Sequence, residues 1–316
     1  MTETAARAKA HGMTEATTPE TDPAALVSAL LRLLDVADKG SDRFEGARKV
    51  GGVGRVFGGQ VIAQALAAAE RTVSPDRPVH SLHAYFLRGG SEDFSIDFEV
   101  MRDLDGGSFA NRRVVASQPG TSQEVRPILT MSASFHKREP GAAHADVMPQ
   151  VPAPEDLRSE AELRAEFSDR VPEAYRRILL APRPIEQRPV EARHWMGAEP
   201  REPLSHTWFR AVAPLPDDPK IHRAVLAYAS DMTLLGTATL PHGLSWTKGN
   251  LMNASLDHAI WFHDDIRADE WLLYVCDSPW AGRARGFARG RIFARDGRLL
   301  ANVAQEGLIR SLSRQD

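Results

Sequence analysis

The chain has 316 residues, 42% hydrophobic and 26% charged, with a formal net charge of −3. That length can bury a sizeable core and holds two units of ordinary domain size. The charge balance gives no concentrated basic face for nucleic acid, and no run reaches the ~20 apolar residues of a membrane-spanning helix.

In chain order, residues 1–22 are rich in Thr, Glu, Ala and Pro and lack the apolar segment of a signal peptide, so a disordered tail is expected. Pro23–Ala37 reads as an amphipathic helix with Leu26, Leu30, Leu33 and Leu34 on one stripe. After a charged, glycine-containing loop, Gly58-Gly59 opens a helix over Gln60–Arg71. Its Ile62, Leu66 and Ala69 share a face, and its many alanines let it lie close against a sheet. Strand-like runs follow at His80–Arg88, Ser95–Met101, Phe109–Ser117 and Ile128–Lys137, punctuated by Asp105-Gly106-Gly107 and Pro119-Gly120. Glu139–Pro154 is proline-rich and aperiodic, a linker, and Glu160–Leu180 holds one or two surface helices. The prolines around Ile185–Arg193 suggest an edge strand, and Trp208–Val212 is another strand. A second helix is predicted over Ile221–Gly236, then strands at Ala254–His263, Trp271–Cys276, Gly286–Ala294 and Leu299–Arg310.

The pattern occurs twice: one helix, then an antiparallel run of strands. Ser108-Phe109-Ala110-Asn111-Arg112-Arg113-Val114 and Gly286-Phe287-Ala288-Arg289-Gly290-Arg291-Ile292 superimpose without a gap. The expectation is an α+β fold, a double hot-dog of two tandem units, each an antiparallel sheet curved around its helix. The units are placed at 23–138 and 185–310, with linker and surface helices at 139–184 and tails at 1–22 and 311–316. The chain end, Ser313-Arg314-Gln315-Asp316, lacks a Ser-Lys-Leu peroxisomal address. The single cysteine, Cys276, excludes an internal disulfide and fits a reducing compartment, so the cytoplasm is the expected location. Cys276 sits in an apolar run and reads as a buried, inert thiol.

Polar residues that interrupt apolar elements fall in the second copy. Asp231 follows Tyr228-Ala229-Ser230 inside a helix, where a helix cap or a solvent-facing carboxylate is the plainer reading. Ser255 opens a strand, a position where serine is usually structural. Gln305 lies in the last strand and needs hydrogen-bond partners if buried. Aligning the last strands sets Ser134 of the first copy against Gln305, so that copy lacks the amide. No Gly-x-Ser-x-Gly elbow, phosphate-cradling glycine loop or His-Glu-x-x-His motif is present. His258 and His263 point to opposite faces of one strand, as do Asp257 and His258, so neither a metal site nor an acid–base pair is expected. Arg283, Arg285, Arg289 and Arg291 read as a solvated sheet face or a site for anionic phosphates.

Several blocks carry a family resemblance. They are Arg55-Val56-Phe57-Gly58-Gly59-Gln60-Val61, His80-Ser81-Leu82-His83-Ala84-Tyr85-Phe86-Leu87-Arg88 and Ser132-Ala133-Ser134-Phe135 in the first half. The second half adds Tyr228-Ala229-Ser230-Asp231, Asp257-His258-Ala259-Ile260-Trp261-Phe262-His263, Glu270-Trp271-Leu272-Leu273-Tyr274, Ala284-Arg285-Gly286-Phe287 and Gln305-Glu306-Gly307. From Leu26 to Arg310 the chain resembles the acyl-CoA thioesterase II family, the TesB-type tandem hot-dog enzymes. The resemblance implies hydrolysis of fatty acyl-CoA without a cofactor. It also implies that Asp231, Ser255 (threonine in many members) and Gln305 jointly hold the hydrolytic water. Backbone N–H groups at Gly58, Gly59 and Gln60 would then serve the thioester carbonyl, Arg285 would serve substrate binding, and a homo-oligomer is expected. The alternatives are a hot-dog acyl-CoA hydratase or dehydratase, which needs an Asp/His pair near a helix, and a non-catalytic acyl-CoA-binding protein.

Overall fold

Alternating burial drives most of the chain into antiparallel strands. The computed structural model describes residues 21–312 apart from 53, 121–123, 172 and 197–198. Residues 1–20 and 313–316, most of the two expected tails, lie outside the described residues. The first half consists of α1 (Pro23–Leu34), β1 (Val36–Gly40), β2 (Arg43–Gly46), α2 (Gly58–Glu70), β3 (Val79–Phe86), β4 (Ile96–Asp105), β5 (Phe109–Pro119) and β6 (Val125–His136). Two surface helices follow, α3 (Glu160–Phe167) and α4 (Glu173–Leu180). The second half comprises β7 (Ile185–Pro189), β8 (Leu204–Ala211), α5 (Pro219–Ser230), α6 (Leu234–Thr237), β9 (Leu251–Ser255), β10 (Asp257–Phe262), β11 (Leu272–Gly282), β12 (Arg285–Ala294) and β13 (Leu299–Ser311).

The strands form one sheet in the order β1-β2-β4-β5-β6-β3-β10-β13-β12-β11-β8-β7, with β9 paired to β13. Read outward from the β3–β10 seam, the two halves have the same strand order, and each places its long helix before its seam strand. This is the expected double hot-dog. The seam itself is an antiparallel pairing running from Asp257 opposite Tyr85 to Trp261 opposite Ser81. Strand β5 alternates buried positions with half-buried or exposed ones along its length, as a strand with one face on a core must.

Helix α2 is enclosed. Eleven of its 13 residues are buried, including Ile62, Ala63, Ala65, Leu66, Ala68 and Ala69, so its alanines bring backbone against sheet as their size allows. Helices α2 and α5 pack on each other, and both join the main core. The aperiodic stretch expected at 139–154 forms no helix or strand through residue 153. It lies on the outer face of the second half. Trp208 Nε1 donates to Pro152 O at 3.0 Å, and Met148 and Val151 pack on Trp208, Trp271, Leu273 and Phe293.

Three expectations change. The charged loop before Gly58 contains the β1–β2 hairpin, turned by Ser41 and Asp42 at φ of 55° and 56°. The second helix stops at Ser230 rather than Gly236, with α6 as a separate turn. The strand expected over 254–263 is broken into β9 and β10 at Leu256, so Ser255 ends a strand instead of opening one.

Candidate active site

The break at Leu256 shapes the site. Ser255 pairs with Gly307 and Ala259 with Ala304, so one extra residue is accommodated on the β9–β10 side. A bulge of this kind shifts the alternation of faces. Ser255 and His258, three apart, therefore face the same side, which alternation without a bulge forbids. Leu256 holds the bend by donating its N–H to Glu306 O and accepting from Phe86 N, each at 2.9 Å.

Asp231 caps α5 at φ −85° and ψ −4°. The end of that helix is fixed from the sheet: Tyr274 Oη donates to Ser230 O at 2.9 Å, satisfying a carbonyl that a helix terminus leaves open. Gln305 stands mid-strand in β13, fully buried, opposite the small Ala288. Its Nε2 donates to Asp231 Oδ1 at 2.6 Å and to Ser255 Oγ at 3.1 Å. Ser255 and the Gly59 N–H also lie close enough to the Asp231 carboxylate to favour its charged form. The structure thus brings together Asp231, Ser255 and Gln305 from three elements, with the N-terminus of α2 as the fourth wall.

Glycine is required at that wall. A Cβ at Gly58 would lie 2.6 Å from Asp231 Oδ2, and one at Gly59 would lie 2.4 Å from Tyr228 O. Gly59→Ala should therefore push α2 away from α5, lowering stability by about 1–3 kcal/mol and activity with it. A thermal melt and a thiol-release assay check both effects. Two other expected substrate-site residues are engaged elsewhere. The Gln60 N–H bonds Phe57 O at 3.1 Å and its side chain donates to Ala47 O at 3.2 Å. Arg285 pairs with Glu306 at 3.2 Å and lies over the Trp280 ring.

Burial pushes the Asp231 carboxyl up to about 6, against the opposing bonds from Gln305, Gly59 and Ser255. Such a carboxylate is ionised at neutral pH yet binds a proton more tightly than an ordinary aspartate. The base form exists above the pKa, so kcat/KM should rise as pH increases through about 6 and level off above it. A pH–rate profile measures this directly.

His258 was missed by sequence reasoning. It is fully buried, and its Nδ1 lies 3.9 Å from Asp231 Oδ1. The histidine that an Asp/His pair near a helix would need therefore does stand beside Asp231, although alternation along an unbroken strand gives no sign of it. The bulge supplies the reason, since it returns residue 258 to the inner face. Burial lowers its pKa to about 3, so the ring is neutral. Among the described residues, no group of three or more His, Cys, Asp or Glu could hold a metal ion. Cys276 is buried and its thiol pushed up to about 12 by burial, as expected of an inert cysteine.

The first half has no matching set. With Phe109 aligned to Phe287, Ala110 pairs with Phe135 as Ala288 pairs with Gln305, so Phe135 takes the glutamine's place. Ser134, the expected counterpart, is one residue out of register and bonds His80 at 2.8 Å instead. Arg71 follows α2 where Asp231 follows α5. A groove of about 770 Å³ at this end is lined by His80, His136, Arg138, His222 and neighbouring residues, with no carboxylate–hydroxyl–amide cluster in its walls.

Two family models match in tandem: acyl-CoA thioesterase N-terminal domain over residues 47–136 and acyl-CoA thioesterase over residues 177–308. Human acyl-coenzyme A thioesterase 8 is 42% identical over 264 residues, 81% of each chain. The chain belongs to the acyl-CoA thioesterase family. Acyl-CoA thioesterase 2 of Haemophilus influenzae is 35% identical across 90% of this chain and 98% of its own. Among solved structures, acyl-CoA thioesterase II TesB2 from Mycobacterium marinum superposes with a TM-score of 0.72 at 39% identity, covering 89% of this chain and 98% of that one. The protein is accordingly a thioester hydrolase acting on acyl-CoA.

Proposed function

We propose that the thioesterase cleaves fatty acyl-CoA by direct attack of a water held by Asp231, Ser255 and Gln305. The observation that carries this is the fully buried Gln305 amide, which ties the carboxylate to the hydroxyl. Asp231 takes a proton as the water oxygen bonds to the thioester carbonyl carbon. Gln305 Oε1, a buried acceptor with no partner among the described residues, takes the water's second hydrogen. The tetrahedral intermediate collapses with loss of the C–S bond, and protonated Asp231 returns its proton to the departing sulfur. The products are free acid and CoA. The positive end of α2, opening at Gly58, polarises the carbonyl.

Thiol release from saturated acyl-CoAs of graded chain length tests this reading, and turnover with long chains supports it. Hydration of enoyl-CoA without thiol release would support the hydratase alternative, and binding without release the non-catalytic one. The protein is further proposed to be cytoplasmic, which the single buried cysteine supports. A homo-oligomer is proposed because β1 and β7 end the sheet as edge strands, each paired on one side only among the described residues. Sedimentation at the monomer mass would contradict the oligomer.

A further inference from the structure

His258 lies behind the site, and the partners of Ser230 assign its tautomer. Ser230 Oγ has one proton, which it donates to Ala227 O at 2.9 Å. With the hydroxyl proton placed on Ala227 O, the same oxygen, 2.9 Å from His258 Nε2, accepts there, which assigns the ring proton to Nε2. Nδ1 is then a bare acceptor. It is buried, without a hydrogen-bond partner among the described residues, and lies 3.9 Å from Asp231 Oδ1.

An acceptor lone pair beside a carboxylate has nothing to accept, and the arrangement is relieved when the carboxyl carries a proton. We propose that His258 is a positioning residue that acts through Asp231, its Nδ1 favouring the protonated form that arises when the carboxylate takes the proton of the attacking water. The inference rests on Asp231 being the base. The other groups facing Asp231 are accounted for. Gln305 from β13, Ser255 from β9 and the Gly59 N–H of α2 are donors that favour the charged form, and the Tyr274 phenol from β11 is committed to Ser230 O. His258 is the one neutral acceptor among them, opposing three donors. A base that binds its proton more tightly is more effective in the transfer step.

Two substitutions separate the ring's two nitrogens. His258→Gln keeps a donor near Nε2 for Ser230 and deletes the Nδ1 acceptor. His258→Asn puts Oδ1 near the Nδ1 position and loses the Ser230 bond. Each variant is read by the pH profile of kcat/KM and by its melting temperature, beside wild type and Asp231→Asn. In His258→Gln the acidic limb should move to lower pH by about half a unit or more, with plateau kcat down about three- to ten-fold. His258→Asn should restore the limb to its wild-type position even if the protein melts earlier. Should His258→Gln fail to fold, Ser230→Ala serves instead. It frees the ring proton to move to Nδ1 and face the carboxylate, which also lowers the limb. A limb unmoved in His258→Gln, moved to higher pH, or moved equally in both histidine variants would overturn the proposal. If Asp231→Asn retained turnover, the base assignment itself would fall. A dead Asp231→Asn with an unmoved His258→Gln limb removes the histidine inference alone.

Discussion

Asp231→Asn should lower kcat by about 10²–10⁴-fold, the usual cost of losing a general base, with the protein still folded. Asparagine keeps the side chain's shape and one acceptor for the Gln305 Nε2 that now binds Oδ1 at 2.6 Å. It removes the group proposed to take the water's proton. The stability change has a definite sign. Burial raises the carboxyl from 3.8 to about 6, so the folded state binds more protons than the unfolded chain between those values, and this group's contribution to stability falls as pH rises through them. At pH 7 the ionised, buried carboxylate is a liability that the amide lacks. The variant should therefore melt no lower than wild type at pH 7, while losing turnover. Steady-state thiol release beside a thermal melt checks both. Turnover within a few-fold of wild type in a stable variant would remove Asp231 from its role.

The second large effect belongs to Ser255 and Gln305. Gln305 donates to both Asp231 and Ser255, so Gln305→Ala should unlink all three and lower kcat by about 10²-fold or more. Ser255→Ala, which removes a donor and an acceptor with little change in volume, should lose about ten-fold or more. Groups that orient one water act as a unit, so the double alanine variant should be little worse than the poorer single one. Ser255→Thr keeps the hydroxyl and adds one methyl at a half-buried position. It should keep most of the activity. Fully additive losses would mean the two side chains serve different steps.

How much of this was legible depends on length and parity. Helix α2 and strands β3 to β6 announce themselves through long periodic runs, and the Phe109 and Phe287 lines share a register because both halves close the same sheet. The β1–β2 hairpin stayed hidden because its strands are short and mostly exposed, with few buried residues to mark an inner face. The end of α5 is set by tertiary contacts. The Tyr274 phenol and the His258 ring hold Ser230, and local propensity carries no trace of either. Face assignment fails by one residue at a time. That is why Ser134 stood in for Phe135, and why the bulge at Leu256 hid His258 from view. Asp231, Ser255 and Gln305 could be named because matching blocks flank each of them, but their mutual distances belong to the folded chain alone.

Mass spectrometry of a single turnover in H₂¹⁸O, with enzyme in excess over acyl-CoA, distinguishes direct attack by a water that Asp231 deprotonates from attack through an acyl-enzyme. Direct attack places one ¹⁸O in the free acid from the first turnover and leaves the protein mass unchanged throughout. An acyl adduct on Ser255, or ¹⁸O incorporated into Asp231, would contradict it.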